Sequence, residues 1–267
     1  MNEPYRDGER DGARRPWLVA HRGAMREAPE NTRAAFDRAL SYEPDGVEFD
    51  VQLTRDGVPV LYHDRTLARI EGGRKRISDY TYSMLRRKDW GGWFSRAFAG
   101  EPILSLEEAL QIYGARTRLL IEIKSRERDR LSGASDTLTR RVLDLLARHI
   151  PAAARGDVFI LSFDAEVLDL AHREDAGWRY VLNVTNPRAR LRRAPHQWCF
   201  LYARCIAVRK LGRSFVEKTH DAGQRVMTYA CNIPAQVNKA LALGVDVIMS
   251  DRPGWLVQRF RRGTDDS

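Results

Sequence analysis

Residues 46–64 run G-V-E-F-D-V-Q-L-T-R-D-G-V-P-V-L-Y-H-D. Val47, Phe49 and Val51 alternate with Glu48, Asp50 and Gln52, the period of two that defines a strand. Its polar face carries carboxylates at i and i+2. Their repulsion is costly unless a cation lies between them or one stays protonated. Asp56-Gly57 reads as a two-residue turn. Pairing the arms around it makes residue numbers add to 113, which sets Arg55 opposite Val58 and Asp50 opposite His63. Opposed residues share a face, so the hairpin is expected to gather two carboxylates and a histidine.

Outward from the hairpin, strand and helix patterns alternate along the chain. Trp17–Ala20 is an apolar run ending at His21-Arg22-Gly23, and Asn31 or Thr32 is placed to cap a helix over Ala34–Leu40. After residue 104, Ser105 and Glu108 form a capping box for a helix over Leu106–Tyr113. Strand patterns follow at 119–124, 158–162, 180–182, 206–208, 225–229 and 245–249, with helical patterns at 137–149, 165–173, 213–222 and 235–243. Residues 65–104 differ: they hold nine Lys/Arg, four Asp/Glu and six aromatics, and read as an insertion lying over something else.

The hairpin resolves the strand count. A parallel neighbour needs a crossover of a dozen or more residues, which Arg55-Asp56-Gly57 cannot supply. Val58–Tyr62 is then a returning arm, and eight parallel strands remain. Repeated βα units predict an α/β fold, a (β/α)8 TIM barrel with a small insertion near its mouth and its chemistry at the C-terminal strand ends. A doubly wound open sheet is the alternative, but no Gly-rich phosphate fingerprint follows the first strand. The expected boundaries are a flexible tail over 1–15, a barrel over 16–258 with the insertion at 65–104, and a second tail over 259–267.

Composition narrows the function classes. With 267 residues, 43% of them hydrophobic, the chain can build one sizeable core. No window of about 18 uninterrupted apolar residues suggests a membrane span. The first fifteen residues mix Arg with Asp and Glu and lack the apolar core of a secretory signal. Cys199, Cys205 and Cys231 have no metal-type spacing, and three cannot all pair, so a cytoplasmic, reducing setting is expected. The net charge of +9 suits nucleic acid, an anionic membrane surface or small phosphorylated substrates, and equally a solvated basic surface.

The chemistry-bearing residues fall at the predicted strand ends: His21 and Arg22, Glu48 and Asp50, Glu122 and Lys124, with His63 closing the hairpin. Three carboxylates without cysteine make a hard oxygen site suited to one divalent cation, Mg2+ or Ca2+. Two histidines beside it can act as general acid and base near neutral pH. Arg22 and Lys124 add the cationic donors that a phosphoryl oxygen wants. A single histidine at a strand end is more often structural, and Glu122-Ile123-Lys124 alone could be an ion pair on a strand edge. Convergence of all of them on one barrel end favours a site.

The ordered motifs H-R-G (21–23), P-E-N-T (29–32), E-F-D (48–50), D-G (56–57), H-D (63–64), E-I-K (122–124), S-F-D (162–164), Y-A-C-N (229–232) and S-D-R-P (250–253) resemble those of the glycerophosphodiester phosphodiesterase family. The resemblance runs from about Trp17 to Trp255. It implies metal-dependent hydrolysis of glycerophosphodiesters to sn-glycerol 3-phosphate and an alcohol. Glu48, Asp50 and Glu122 would hold the metal and His21 and His63 would be the acid/base pair. Arg22, Lys124, Glu30 and Tyr229 would bind phosphate or substrate. In related enzymes a neighbouring substrate hydroxyl attacks phosphorus and gives a cyclic phosphate. The run Thr66–Glu71 and the pair Arg209-Lys210 depart from the family pattern without touching this set, and bear on the alcohol instead. The expected partner is a small glycerophosphodiester, with neither nucleic acid nor a stable membrane anchor. A lysophospholipase D-type activity on a lipid is the runner-up: Trp90, Trp93, Phe94 and Phe98 could receive an acyl chain, although such aromatics are more often the insertion's own core. A basic nucleic-acid or membrane-surface binding protein on the same scaffold is the third reading.

Overall fold

The structure, a computed structural model, describes residues 15–186 and 199–262; most of both expected tails and part of the basic loop through Arg193 lie outside the described residues. Nine strands are present among them: β1 (Trp17–His21), β2 (Gly46–Leu53), β3 (Pro59–Leu61), β4 (Arg118–Ile123), β5 (Val158–Ser162), β6 (Arg179–Val184), β7 (Leu201–Ala207), β8 (Arg225–Tyr229) and β9 (Val247–Ser250). β1 pairs with both β2 and β9, and every neighbouring pair from β2 and β4 through β9 is parallel, which closes an eight-stranded barrel. β3 lies outside it, antiparallel to β2. The fold is the expected (β/α)8 barrel.

Side-chain parity explains the core. Val19, Leu120, Phe159, Val181, Met227 and Val247 meet in one buried cluster inside the barrel. Residues of opposite parity, Val47, Phe49 and Val51 on β2 among them, face the surrounding helices, where Phe49 packs against Phe36 and Phe36 in turn against Tyr113. Strands buried on both faces read as nearly continuous apolar runs, and a charged residue of inward parity stands out against them. Two steps along from Val19, Leu120 and Val181 come His21, Glu122 and Asn183, so the apolar plug turns polar at the C-terminal end.

The hairpin register differs from the expectation by one residue. Val51 pairs with Leu61 and Leu53 with Pro59, so the numbers add to 112, and Tyr62 N donates to Asp50 O at 3.0 Å. Asp50 therefore faces Tyr62, not His63. Gly57 takes φ +79°, and Thr54 receives both Gly57 N–H at its carbonyl and Val58 N–H at its hydroxyl. A three-residue loop with glycine in the left-handed position replaces the two-residue turn.

Residues 65–104 contribute no barrel strand. Short helical turns at Ala68–Glu71, Ile77–Asp79, Tyr82–Leu85 and Arg96–Phe98 enclose a small core of Leu67, Ile77, Tyr80, Leu85, Trp90 and Ile103, packed on Val60 and Tyr62 of the returning arm. Trp90 thus belongs to that core, whereas Trp93, 36% exposed, contacts Phe94 edge-on, and Phe94 in turn contacts Phe98. The closing helix, Pro253–Arg262, runs past the expected barrel end at residue 258.

Candidate active site

A cavity of about 120 Å3 opens at the C-terminal mouth, lined by His21, Arg22, Glu48, His63, Glu122, Lys124, Asn183 and Tyr229 among others. The sequence-predicted residues therefore converge, although His63 arrives from the loop after β3 rather than from a position opposite Asp50.

The chain reaches the mouth through unusual backbone. Arg22 has φ +55° and Asn31 φ +59°, conformations that non-glycine residues rarely hold without compensation. Gly23, at φ +80°, lies so close to Ala35 that an added Cβ would sit 2.7 Å from its backbone. That contact locks the loop onto the first helix, Arg33–Leu40, which Thr32 caps by accepting from Ala35 N. The loop in turn presents Arg22 N to Glu48 O at 2.8 Å.

Glu48, Asp50 and Glu122 are all buried, and one carboxylate oxygen from each falls within 4.8 Å of the others. Lys124 Nζ contacts Asp50 Oδ1 at 2.7 Å and also Glu122, while Arg22 Nε lies 3.2 Å from Asp50 Oδ2. Asn31 donates to that same oxygen at 3.0 Å. Burial would raise Asp50, but Lys124 and Arg22 outweigh it and hold the carboxyl far below its ordinary range. Glu48 has the opposite balance. Burial, then repulsion from Asp50 and Glu122, pushes it well above the usual carboxylate range. Burial likewise raises Glu122 despite Lys124. Lys124 and Arg22 are themselves raised, because the surrounding acids outweigh the burial that would lower them.

This imbalance bears on whether a cation fits. The Lys124 and Arg22 side chains contact Asp50 and Glu122 but not Glu48, which accepts from the Arg22 backbone N–H at 3.2 Å and whose shortest contact with a basic side chain among the described residues is 3.8 Å, to His21 Nε2. A buried carboxylate left so poorly compensated suits a cation at that point, and an all-oxygen donor set suits a hard one. Asn183 Nδ2 donates to Glu122 Oε2 at 3.0 Å and fixes the third carboxylate.

Each histidine has an aspartate on Nδ1. His21 Nδ1 lies 2.7 Å from Asp251 Oδ1, and Asn232 Nδ2 donates to the other oxygen at 2.7 Å. Burial would raise Asp251, but its bond to His21 and that from Asn232 hold it below the ordinary range. His63 Nδ1 lies 3.0 Å from Asp64 Oδ1, with Arg69 on Oδ2; the His63 bond chiefly, then Arg69, lowers Asp64 to about 2. An acceptor on Nδ1 selects the tautomer that leaves Nε2 free as a base. The Tyr229 ring stacks on His21 with centroids 6.0 Å apart, and burial pushes its hydroxyl up to about 12.

Glu30 is not among the residues lining the cavity. Its oxygens accept from Arg22 at 3.2 Å and face Arg69 at 3.1 Å, so it reaches the site through those arginines. Sequence reasoning did not assign Asn31, Asp64, Asp251, Asn183 or Asn232. Asn31, Asp64, Asp251 and Asn232 lay inside quoted motifs, and Asn183 is two residues on from Val181, an inward position on β6.

The sequence profile of the glycerophosphoryl diester phosphodiesterase family matches residues 21–255. The chain belongs to this family. It is an enzyme, a glycerophosphodiester phosphodiesterase built on a closed barrel. A Caldanaerobacter subterraneus glycerophosphodiester phosphodiesterase is 30% identical over 253 residues, covering 92% of this chain and 98% of that one. A solved Oleispira antarctica phosphodiesterase, in complex with the product sn-glycerol 3-phosphate, superimposes with a TM-score of 0.81 at 27% identity, covering 94% of this phosphodiesterase and 97% of its own chain. The Agrobacterium tumefaciens glycerophosphodiester phosphodiesterase has a TM-score of 0.70 at 26% identity, over 91% and 100% of the two chains. No helix among the described residues is long and apolar enough to cross a membrane.

Proposed function

We propose that this phosphodiesterase cleaves small glycerophosphodiesters to sn-glycerol 3-phosphate and an alcohol, in a reaction that depends on a divalent cation and uses His21 and His63 as the acid/base pair. The observation that carries the reading is the meeting of two aspartate-held histidines and a buried carboxylate trio at one cavity.

Glu48, Asp50 and Glu122 would hold the cation, which when bound polarises a phosphoryl oxygen and eases ionisation of a nearby hydroxyl. Lys124 and Arg22 stabilise the charge that grows on the phosphoryl oxygens. One histidine takes the proton of the attacking hydroxyl as its oxygen bonds to phosphorus; the other protonates the departing alkoxide as the phosphorus–oxygen bond breaks. With the substrate's own glycerol hydroxyl as nucleophile, the first product is a cyclic phosphate, which water then opens. An intramolecular nucleophile has a high effective molarity, which favours that route.

The test is an assay of the purified protein on glycerophosphocholine, glycerophosphoethanolamine and a lysolipid, each with Mg2+, Ca2+ or chelator. Release of sn-glycerol 3-phosphate that needs the cation is expected. Turnover of the lysolipid alone would replace this reading with a lysophospholipase D activity, and undiminished turnover in chelator would remove the cation from it.

A further inference from the structure

A second groove, of about 330 Å3, adjoins the catalytic cavity and shares His63, Glu122, Lys124 and Phe163 with it. Its remaining wall includes Arg65 and Arg126. Resting on the function proposed above, we propose that this groove is the alcohol subsite, and that it selects glycerophosphodiesters whose alcohol carries an anionic group.

Size and position divide the substrate. Every glycerophosphodiester shares the glycerol phosphate moiety, which suits the smaller cavity against the histidines and carboxylates. The alcohol varies in size and belongs in the larger groove beyond Lys124. Phe163, 40% exposed, stands where the two meet and gives the junction an apolar wall.

Charge sets the preference. Neighbouring arginines are committed: Arg22 to Asp50 and Glu30, Arg69 to Asp64 and Glu30, Arg130 to Asp164 at 3.6 Å. Among the described residues, no carboxylate forms an ion pair with Arg65 or Arg126. The acids facing the groove are otherwise occupied: Asp64 by His63 and Arg69, and Glu122 by Lys124 and Asn183. Asp129 is the remaining acid whose charge reaches Arg126. Burial, with the charges of Arg65 and Arg76, outweighs Asp129 and Glu122 and holds the Arg126 guanidinium below its ordinary value. It stays a cation even so. A half-buried Arg126 with an exposed Arg65 charge close to it, neither ion-paired among the described residues, favours an incoming anion, and a planar guanidinium matches phosphate or carboxylate oxygens two at a time. A choline or ethanolamine head would meet like charge here.

The experiment compares kcat/KM for glycerophosphocholine, glycerophosphoglycerol, the terminal phosphate monoester of glycerophosphoglycerol, and glycerophosphoserine. Wild type is expected to favour the phosphate monoester over the choline ester by on the order of tenfold or more, as charge-assisted hydrogen bonds predict. The serine ester separates a carboxylate from a phosphate as the favoured group. Arg65→Gln and Arg126→Gln should each lower that ratio, and Arg126→Lys should restore part of it. Raising the salt concentration should flatten it. Lys218→Gln, an equal charge loss at an exposed site on another face, should leave the ratio as in wild type. Equal kcat/KM for all four esters overturns the subsite while leaving the enzyme's activity standing. A ratio that falls as much in Lys218→Gln also overturns it, since bulk attraction would then suffice. Failure of wild type to turn over any of the four, with or without cation, removes the function reading itself.

Discussion

His21 Nδ1 and Asp251 Oδ1 stand 2.7 Å apart although 230 residues separate them in sequence, because β1 and β9 are neighbours at the seam that closes the barrel. The carboxylate sets which nitrogen of His21 carries the proton. Asp251→Asn offers an amide that can present N–H to Nδ1 instead, which drives the proton onto Nε2 and disables the base. Asp→Asn beside a catalytic histidine, acting through the wrong tautomer, costs up to about 10⁴-fold. The fall is expected in kcat, with KM and cation affinity kept. A variant that retains wild-type kcat would show that Asp251 does not position His21.

The carboxylate trio predicts how the protein responds to cations apart from turnover. Glu48 is buried beside two other acids with no Lys or Arg side chain in ion-pair contact among the described residues, so a divalent ion held there would relieve repulsion and stabilise the fold. Adding Mg2+ or Ca2+ to chelated protein should raise Tm, and Glu48→Gln should weaken binding measured by calorimetry. A Tm indifferent to both ions, with no heat of binding, would exclude a cation at this trio.

The insertion should behave as a packed element. Trp90 is 4% exposed, contacts Tyr62 edge-on at 5.4 Å, and donates from Nε1 to Leu85 O at 2.8 Å. Trp90→Ala removes a large buried ring and leaves an amide acceptor unpaired, a loss of about 3–5 kcal/mol in a cooperative fold. Urea unfolding measures it. A loss under about 1 kcal/mol, within the range of surface substitutions, would mean the insertion contributes little to global stability.

Much of this architecture is legible in the sequence because barrel strands have only two faces. Acids at Glu48, Asp50 and Glu122 interrupt apolar runs at inward parity, and that marks the site, although β2 itself runs on past Asp50 to Leu53. The hairpin register was harder, since Asp56-Gly57 suits a two-residue turn and a three-residue loop equally, and the bond from Val58 N to the Thr54 hydroxyl decides between them. The strand expected at 206–208 begins at Leu201. Arg204 disguised it, yet its Nε donates to Gln224 at 2.8 Å, which satisfies a polar group on an otherwise apolar strand. Asn183 carried no local signal, as one amide in an apolar strand gains meaning only once Glu122 is seen 3.0 Å away.

Asp64 predicts an acid limb in stability. Its carboxyl is lowered to about 2, first by the bond from His63 and then by Arg69. An ordinary aspartate titrates near about 4. A depressed carboxyl stabilises the fold above the unfolded value, and the contribution disappears as pH falls through the folded one. The Tm gap between wild type and Asp64→Asn should therefore be full at pH 5, shrink below about pH 4 and close near about pH 2. A gap that stays constant across this range would show that the Asp64 charge has no part in it.

His21 and His63 should fail as a pair but be rescued apart. Both line one cavity, and each is held at Nδ1 by an aspartate, leaving Nε2 for proton transfer. Cleavage needs one proton removed from the nucleophile and one delivered to the leaving oxygen, and each transfer is worth about 10²–10⁴-fold. His21→Ala and His63→Ala should each lower kcat by that order while cation binding and the folded structure survive. Groups acting as a unit are not additive, so the double variant should be little worse than the worse single one. A nitrophenyl leaving group needs almost no protonation, so it should restore turnover to the variant lacking the acid and not to the one lacking the base. On the proposed function, the greater exposure of His63, 34% against 13% for His21, and its place in the wall of the adjoining groove assign it the role of acid, and nitrophenyl rescue of His63→Ala is the expected outcome. Rescue of His21→Ala instead would exchange the two roles, and near-native turnover of ordinary glycerophosphodiesters by either variant would remove that histidine from the mechanism.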